Sequence, residues 1–221
     1  MFAWTGAALF AISLVYFGYN YLIHFATPAA STPHGAIPWN VALFSLFALH
    51  HSLFARTALR TLVTRYVAAE RERPFYVWVA SLLFIAACAL WQPVAGVAWS
   101  VEGPARIGLA LLQLLGVWLT LRGAAIVGVW QLAGVKPATP PAEFRTDGPY
   151  GWVRHPIYTG WFLLVFPVAT MTGTRLLFAV ISSLYLLLAI PLEEASLRRS
   201  TGDAYRRYER QVRWKLVPGV Y

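Results

Sequence analysis

The chain has 221 residues, 58% of them hydrophobic and only 12% charged, with a net charge of +9. A soluble domain carries about twice that charge fraction, and apolar runs near the ~20 residues needed to cross a bilayer recur throughout, so this is an integral membrane protein. The arginines flank apolar runs instead of lining one soluble face, which points to lipid headgroups rather than nucleic acid. The one cysteine, Cys88, sits inside an apolar run and builds neither a disulfide framework nor a metal cage.

In chain order, hydropathy predicts six spans at roughly 3–24, 38–54, 75–92, 106–130, 157–171 and 175–192. The first lacks a basic start and a small-residue cleavage site and reads as a retained helix, not a signal peptide. Trp39, Trp78, Trp91, Trp99, Trp130 and Trp152 fall near span ends, as interfacial aromatics should. The fifth span is short and carries Pro167; the turn Thr172-Gly173-Thr174 makes the fifth and sixth an antiparallel hairpin. The expected fold is therefore all-α, a polytopic helical bundle forming a single membrane domain over 1–221. A basic tail follows, broken at Ser200-Thr201-Gly202-Asp203 like a helix stop followed by an N-cap. Beyond the break Tyr205, Tyr208 and Val212 share one helical face, the signature of an amphipathic helix that lies on the membrane or folds over the preceding loop. Lys and Arg number fifteen on the side of the 54–74 and 131–156 loops and the tail, against two on the other. By the positive-inside rule both termini and the 131–156 loop are cytoplasmic.

Chemistry-bearing residues gather on that side. Loop 131–156 holds a turn signal at Asp147-Gly148-Pro149 and leads through Tyr150, Trp152, Arg154 and His155 to Pro156, a residue suited to a first helical turn. Arg154 and His155 then lie at a helix N-terminus that favours an anion. Pro191 is expected to interrupt the sixth helix just before Glu193 and Glu194. These carboxylates can accept hydrogen bonds from a ligand or offset a cation. The alternative is a salt bridge from Arg154 that merely closes the hairpin.

The string GPYGWVRHPIYTG, about 30 apolar residues, LEEASL and then GDAYRRYERQV resembles the isoprenylcysteine carboxyl methyltransferase and phospholipid methyltransferase superfamily over about residues 105–218. The resemblance implies a membrane methyltransferase that holds S-adenosyl-L-methionine in a C-terminal cytoplasmic pocket. Carried over residue by residue, it implies cofactor contacts from Tyr150, Arg154, His155, Pro156, Ile157, Tyr158 and Glu193, with Ala142, Glu143, Phe144 and Arg145 in the loop that also touches the cofactor. It departs at Ala189, where the carboxyl methyltransferases carry an arginine implicated in the substrate. The N-terminal half, with ALHHSLFAR, ERPFYVWVASLLF and WQPVAGVAWSV, resembles bacterial methanethiol S-methyltransferases and NnrU-type membrane proteins. Those thiol methyltransferases carry a His-Phe-Asp pattern where this chain has Val129, Trp130 and Gln131. The implied acceptor is a small thiol or a lipid-linked group, in a bacterial inner membrane.

Methyl transfer from a sulfonium needs mostly positioning and desolvation, plus a base when the acceptor is a thiol. Three further groups are candidates for catalysis. Arg122 falls within the fourth span and is expected to face the bundle interior or a watery cavity; its other reading is a snorkelling residue or a partner of Glu194. Of His50 and His51, only one faces the bundle, and His51 is taken as the candidate base. Glu194 completes the set. Two competing functions follow from the same residues: an NnrU-like haem or ligand-binding protein using the histidine pair, and an NADPH-dependent reductase, since RHPxY also occurs in sterol reductases.

Overall fold

The computed structural model describes residues 1–54, 68–137 and 144–221. The longer helices are α1 (Phe2–Leu22), α2 (Ala36–Phe54), α3 (Ala69–Ala89), α4 (Ala105–Val127), α5 (Pro156–Val165), α6 (Gly173–Thr201) and α7 (Asp203–Gln211). Four stretches are long and apolar enough to cross a membrane: Phe2–Ala26, Arg71–Ala89, Ala105–Val127 and Gly173–Thr201. The chain is thus a mostly helical, multi-pass membrane protein, with four such stretches among the described residues where six were expected.

Two differences from expectation bear on the site. Helix α5 has ten residues, about 15 Å at 1.5 Å per residue, half the ~30 Å hydrocarbon thickness. It ends ahead of Pro167, and the expected span dissolves into strand β2 (Thr170–Thr172), antiparallel to β1 (Val97–Ser100). Helix α6, by contrast, runs straight through Pro191 to Thr201. Proline removes one N–H donor and crowds the preceding turn, but flanking turns of one long helix absorb that loss, so Glu193 and Glu194 are helical residues rather than the start of a loop.

The chain forms two compact units. The first comprises Met1–Ser100, Trp130–Ala138 and Thr170–Ser182. In it α1 lies along α3. Phe17 packs on Phe84 with ring centroids 5.5 Å apart, and Gly6 admits Trp78, whose Cδ1 would stand 2.9 Å from any Cβ there. Buried Phe178 is ringed by Phe17, Tyr21, Phe25, Phe44 and Trp91 at 5.0–5.9 Å. Such aromatic pairs add roughly 0.5–1.5 kcal/mol each beyond their burial. Arg175 closes the end of α1: its guanidinium donates to the carbonyls of Tyr21 (2.8 Å), Leu22 (2.8 Å) and Thr170 (2.6 Å). A cation suits carbonyls left open at a helix C-terminus.

The second unit comprises Val101–Val129, Thr139–Ala169 and Ser183–Tyr221. Its helices α4 and α5 touch backbone to backbone at Gly116 and Gly160: a Cβ on Gly116 would lie 2.6 Å from the Gly160 carbonyl oxygen. Gly123 likewise receives Ile157. Small residues are what let helices approach this closely in lipid. Gln113 donates to the Leu164 carbonyl at 2.9 Å and so caps the end of α5. Helix α6 stops at Thr201, where Gly202 takes φ +54°. Helix α7 then folds back so that Tyr205, Tyr208 and Val212 are buried against Phe144, Tyr150 and Leu197.

Candidate active site

The site grows from the loop ahead of α5. Gly148 takes φ +58°, a conformation that favours glycine, and starts the helical turn Pro149–Trp152. The chain then extends through Val153, His155 caps α5, and Pro156 occupies its first turn. Arg154 and His155 are thereby held inward, 9% and 6% exposed. The helix N-terminus meets a carboxylate from within the chain: Arg154 Nε donates to Glu194 Oε1 at 2.8 Å, and His155 Nε2 lies 3.2 Å from the same oxygen. Glu194 itself is 1% exposed, and Arg198 adds a third partner at 3.4 Å. The salt-bridge reading of Arg154 therefore describes the geometry.

Glu193 is different. It lies on the exposed side of α6, accepts a 2.7 Å hydrogen bond from the Tyr158 hydroxyl, and sits 3.8 Å from His155 Nδ1. His155 and Tyr158 stack, centroids 5.3 Å apart and planes 13° from parallel. His155 thus lies between the two carboxylates, Nε2 toward Glu194 and Nδ1 toward Glu193. The Glu193 carboxylate stands at the rim of this stacked aromatic pair. Tyr150 completes this side. Burial, with the Glu193 charge adding to it, lifts its phenol above the ordinary value and keeps it a neutral hydroxyl.

The C-terminal segment straps this arrangement. Arg154 Nη1 donates to the carbonyls of Val212 (2.9 Å) and Arg213 (2.8 Å); the Arg154 and His155 amides donate to Trp214 and Lys215, both at 2.9 Å; and Thr159 Oγ1 donates to Leu216 at 2.8 Å. Burial opposes the Arg154 cation, but the Glu194 bond prevails and leaves its pKa above the ordinary value. Tyr208 donates to the Tyr150 carbonyl at 2.9 Å, while Arg198 grips Glu209 at 2.6 Å. Burial raises the phenols of Tyr205 and Tyr208. The 205/208/212 spacing announces this apolar face in the sequence. Nothing there announces that carbonyls of residues 212–216 are the partners of Arg154, His155 and Thr159, because any residue supplies a carbonyl.

The remaining candidates are placed as follows. Phe144 packs on Tyr205 and Tyr208, centroids at 5.0 and 5.5 Å, and Arg145 is an exposed partner of Asp147 at 2.7 Å. Ala142 and Glu143 lie outside the described residues. Ile157 faces Gly123 on α4. Arg122 is exposed and does not face the interior. The buried stripe of α4 is Gly116, Leu119 and Gly123, and Arg122 is turned about 100° from Gly123; its charge acts on Asp147, and Glu194 is served by other cations. His51 belongs to the first unit, where its Nδ1 is 2.8 Å from the Tyr76 hydroxyl. Among the described residues no three His, Cys, Asp or Glu side chains gather as a metal set.

Residues 115–199 match the isoprenylcysteine carboxyl methyltransferase (ICMT) family. The chain is 35% identical over 193 residues to methanethiol S-methyltransferase 1 of Bradyrhizobium diazoefficiens, covering 83% of this chain and 67% of that protein. It is 33% identical over 225 residues to methanethiol S-methyltransferase of Mycobacterium tuberculosis, covering 94% and 92%. A more distant likeness, 28% over 171 residues, covers 70% of this chain and 60% of nurim of Xenopus laevis. A matching family model and two relatives at a third identity, one spanned almost end to end, establish that the chain belongs to the isoprenylcysteine carboxyl methyltransferase family and is a membrane methyltransferase.

Proposed function

We propose that this protein transfers the methyl group of S-adenosyl-L-methionine to a small thiol, methanethiol or a close analogue, at the cytoplasmic face of a bacterial inner membrane. The observation that carries the cofactor reading is Glu193: an exposed carboxylate held by the Tyr158 hydroxyl beside the stacked His155 and Tyr158 rings. A carboxylate beside stacked rings fits a ligand that is positively charged and rich in donors, with an ammonium, ribose hydroxyls and an exocyclic amine. Tyr150, His155, Tyr158 and Glu193 would hold it, with Pro156 and Ile157 setting the start of α5 beneath them. When bound, the cofactor supplies an electrophilic methyl on a sulfonium. The chain's own work is then orientation and exclusion of water around the thiolate. The thiol proton passes to a base or to solvent before the displacement, in which the sulfonium and thiolate charges cancel.

Arg154 and Glu194 act here as positioning residues. Each is buried, and their bonds fix His155 and the strap. The thiol reading rests on the names of the relatives and on Ala189, which offers no cation to an acceptor carboxylate. The excess of Lys and Arg on the side of the 131–156 loop and the tail supports a cytoplasmic site.

The test is transfer of labelled methyl from S-adenosyl-L-methionine to methanethiol, a prenylcysteine and phosphatidylethanolamine, with wild type beside Glu193→Gln. Methylation of the thiol alone, with donor affinity weakened in the variant, is the expected result. Wild type that binds no S-adenosyl-L-methionine would sink the cofactor reading, and exclusive methylation of the prenylcysteine or the phospholipid would replace the acceptor.

A further inference from the structure

The face of α7 that an amphipathic surface helix would turn to lipid is consumed inside the protein: Tyr205, Tyr208 and Val212 are buried against Phe144, Tyr150 and Leu197. The opposite face is therefore outward. At 100° per residue, Arg206, Arg207 and Arg210 cluster roughly 180° from the buried stripe, and all three are exposed. Exposed Arg213 continues the stripe beyond the helix. Arg207, Arg210 and Arg213 make no ion pair among the described residues; Arg206 has only a 3.9 Å approach to Asp203.

Exposed apolar groups follow directly: Trp214, Val217, Val220 and Tyr221, with 77% of Val220 uncovered. Trp152, two residues ahead of the Arg154 amide that binds the Trp214 carbonyl, is also exposed. The level of this patch in the unit is fixed. The strap is bonded to Arg154, His155 and Thr159 at the start of α5, beside Glu193 and Glu194, where the apolar stretch of α6 gives way to charge. Tryptophan and tyrosine flanked by arginine at the end of a membrane helix match a headgroup layer, aromatic rings at the boundary and cations toward anionic lipid.

We propose that the outer face of α7 and residues 213–221 dock on anionic lipid headgroups, so that the segment strapping Arg154 is held from outside by the bilayer surface. The partner is a negatively charged bilayer, chosen over an acidic protein because the patch combines cations with aromatic and aliphatic groups at the membrane boundary of a chain already anchored there. The inference goes beyond the methyl-transfer reading and does not depend on it.

The experiment places an environment-sensitive thiol fluorophore at Val220→Cys in the full chain. Buried Cys88, 2% exposed, is shielded from the reagent. The protein is reconstituted in nanodiscs of phosphatidylcholine alone or of an equal mixture with phosphatidylglycerol, and quenching by neutral acrylamide is measured without any methyl donor. The label should be protected only in the anionic bilayer, and molar salt should abolish the protection. Arg207→Gln, Arg210→Gln and Arg213→Gln should each weaken docking about fivefold, whereas lysine at the same positions should preserve it. Equal quenching in the two bilayers overturns the proposal, as does protection that survives the triple glutamine variant or is lost equally in the triple lysine variant. Because the readout contains no cofactor, its failure leaves the methyltransferase reading standing, and failure of that reading leaves this one standing.

Discussion

Replacing Arg154 by methionine should reveal how much of the second unit hangs on one guanidinium. Arg154 makes two buried bonds, to Glu194 Oε1 and the Val212 carbonyl, and a partly buried one to the Arg213 carbonyl. Removing one partner of a buried ion pair costs about 3–5 kcal/mol, because the other charge stays behind. Glu194 keeps His155 at 3.2 Å and Arg198 at 3.4 Å, so the lower end applies, ~3 kcal/mol. Glu194→Gln keeps the shape and loses the charge; Arg154 then retains two carbonyls, and the cost falls to about 2 kcal/mol, within the range for a hydrogen bond to a charged group. In the double variant neither charge is stranded. Its cost should be no larger than that of Arg154→Met alone, a coupling of at least about 2 kcal/mol. Reversible unfolding in mixed micelles, run on the four proteins under one condition, measures the cycle. Amide exchange gives a second readout: the Arg154-position and His155 amides, which donate to the strap, should exchange faster in Arg154→Met than in Glu194→Gln. Additivity within ~0.5 kcal/mol would refute the reasoning, since it would mean that the two residues stabilise the fold independently.

Other substitutions test separate parts of the molecule. Gly116→Ala would push a methyl into the backbone of Gly160, Leu163 and Leu164, atoms that cannot swing away, whereas Gly108→Ala meets nothing within 4 Å. Unfolding should show a loss of roughly 1–3 kcal/mol for the first, from overpacking, and no loss for the second, where alanine is the better helix former. Tyr158→Phe removes the 2.7 Å bond to Glu193. Glu193 is partly solvated, so about 1 kcal/mol is at stake, read as an approximately fivefold higher KM for the methyl donor with kcat little changed. Arg175→Lys keeps the charge but cannot reach three carbonyls with a planar fork; thermal unfolding should report a loss of about 2 kcal/mol, since orphaned buried acceptors each cost ~1–3 kcal/mol.

Local punctuation in this chain is legible from sequence. Pro156 opens α5, Gly148 makes the turn before it, and Gly202 ends α6, each because the residue type leaves the backbone few alternatives. The pairing of the Arg154–His155 and Glu193–Glu194 segments is legible too, since charge is scarce and an apolar stretch between two polar clusters brings them to one side. Long-range competition is not. Hydropathy carries α5 on to residue 171, but pairing of Thr170–Thr172 with Val97–Ser100 claims the last part of that run. Pro191 reads as a stop, but the turns on either side hold one continuous helix. Arg122 reads as inward because intramembrane charge is costly; the close contact between α4 and α5 runs along Gly116, Leu119 and Gly123, and Arg122 lies off that stripe. The strap is bound through carbonyls, and so it has no sequence signature.

The adjacency of Glu193 and Glu194 is resolved by helix geometry into two unlike roles. Continuous helix through Pro191 sets neighbouring side chains about 100° apart, so one carboxylate is drawn into the cluster of Arg154, His155 and Arg198 while the other stays on the rim. The buried one is closed off from solvent and surrounded by Arg154, His155 and Arg198. What it supplies is orientation: it holds His155 Nε2 at 3.2 Å, so that Nδ1 lies on the Glu193 side, and through Arg154 it helps to place the segment at Val212 and Arg213. The rim carboxylate, held by the Tyr158 hydroxyl with His155 3.8 Å away and partly open to solvent, is the one free to exchange partners. Charge removal at the two positions should therefore separate. At Glu193 it should weaken the donor at unchanged stability; at Glu194 it should lower stability and disturb the donor through the imidazole. Had the helix broken at Pro191, both carboxylates would face solvent and this division would not arise.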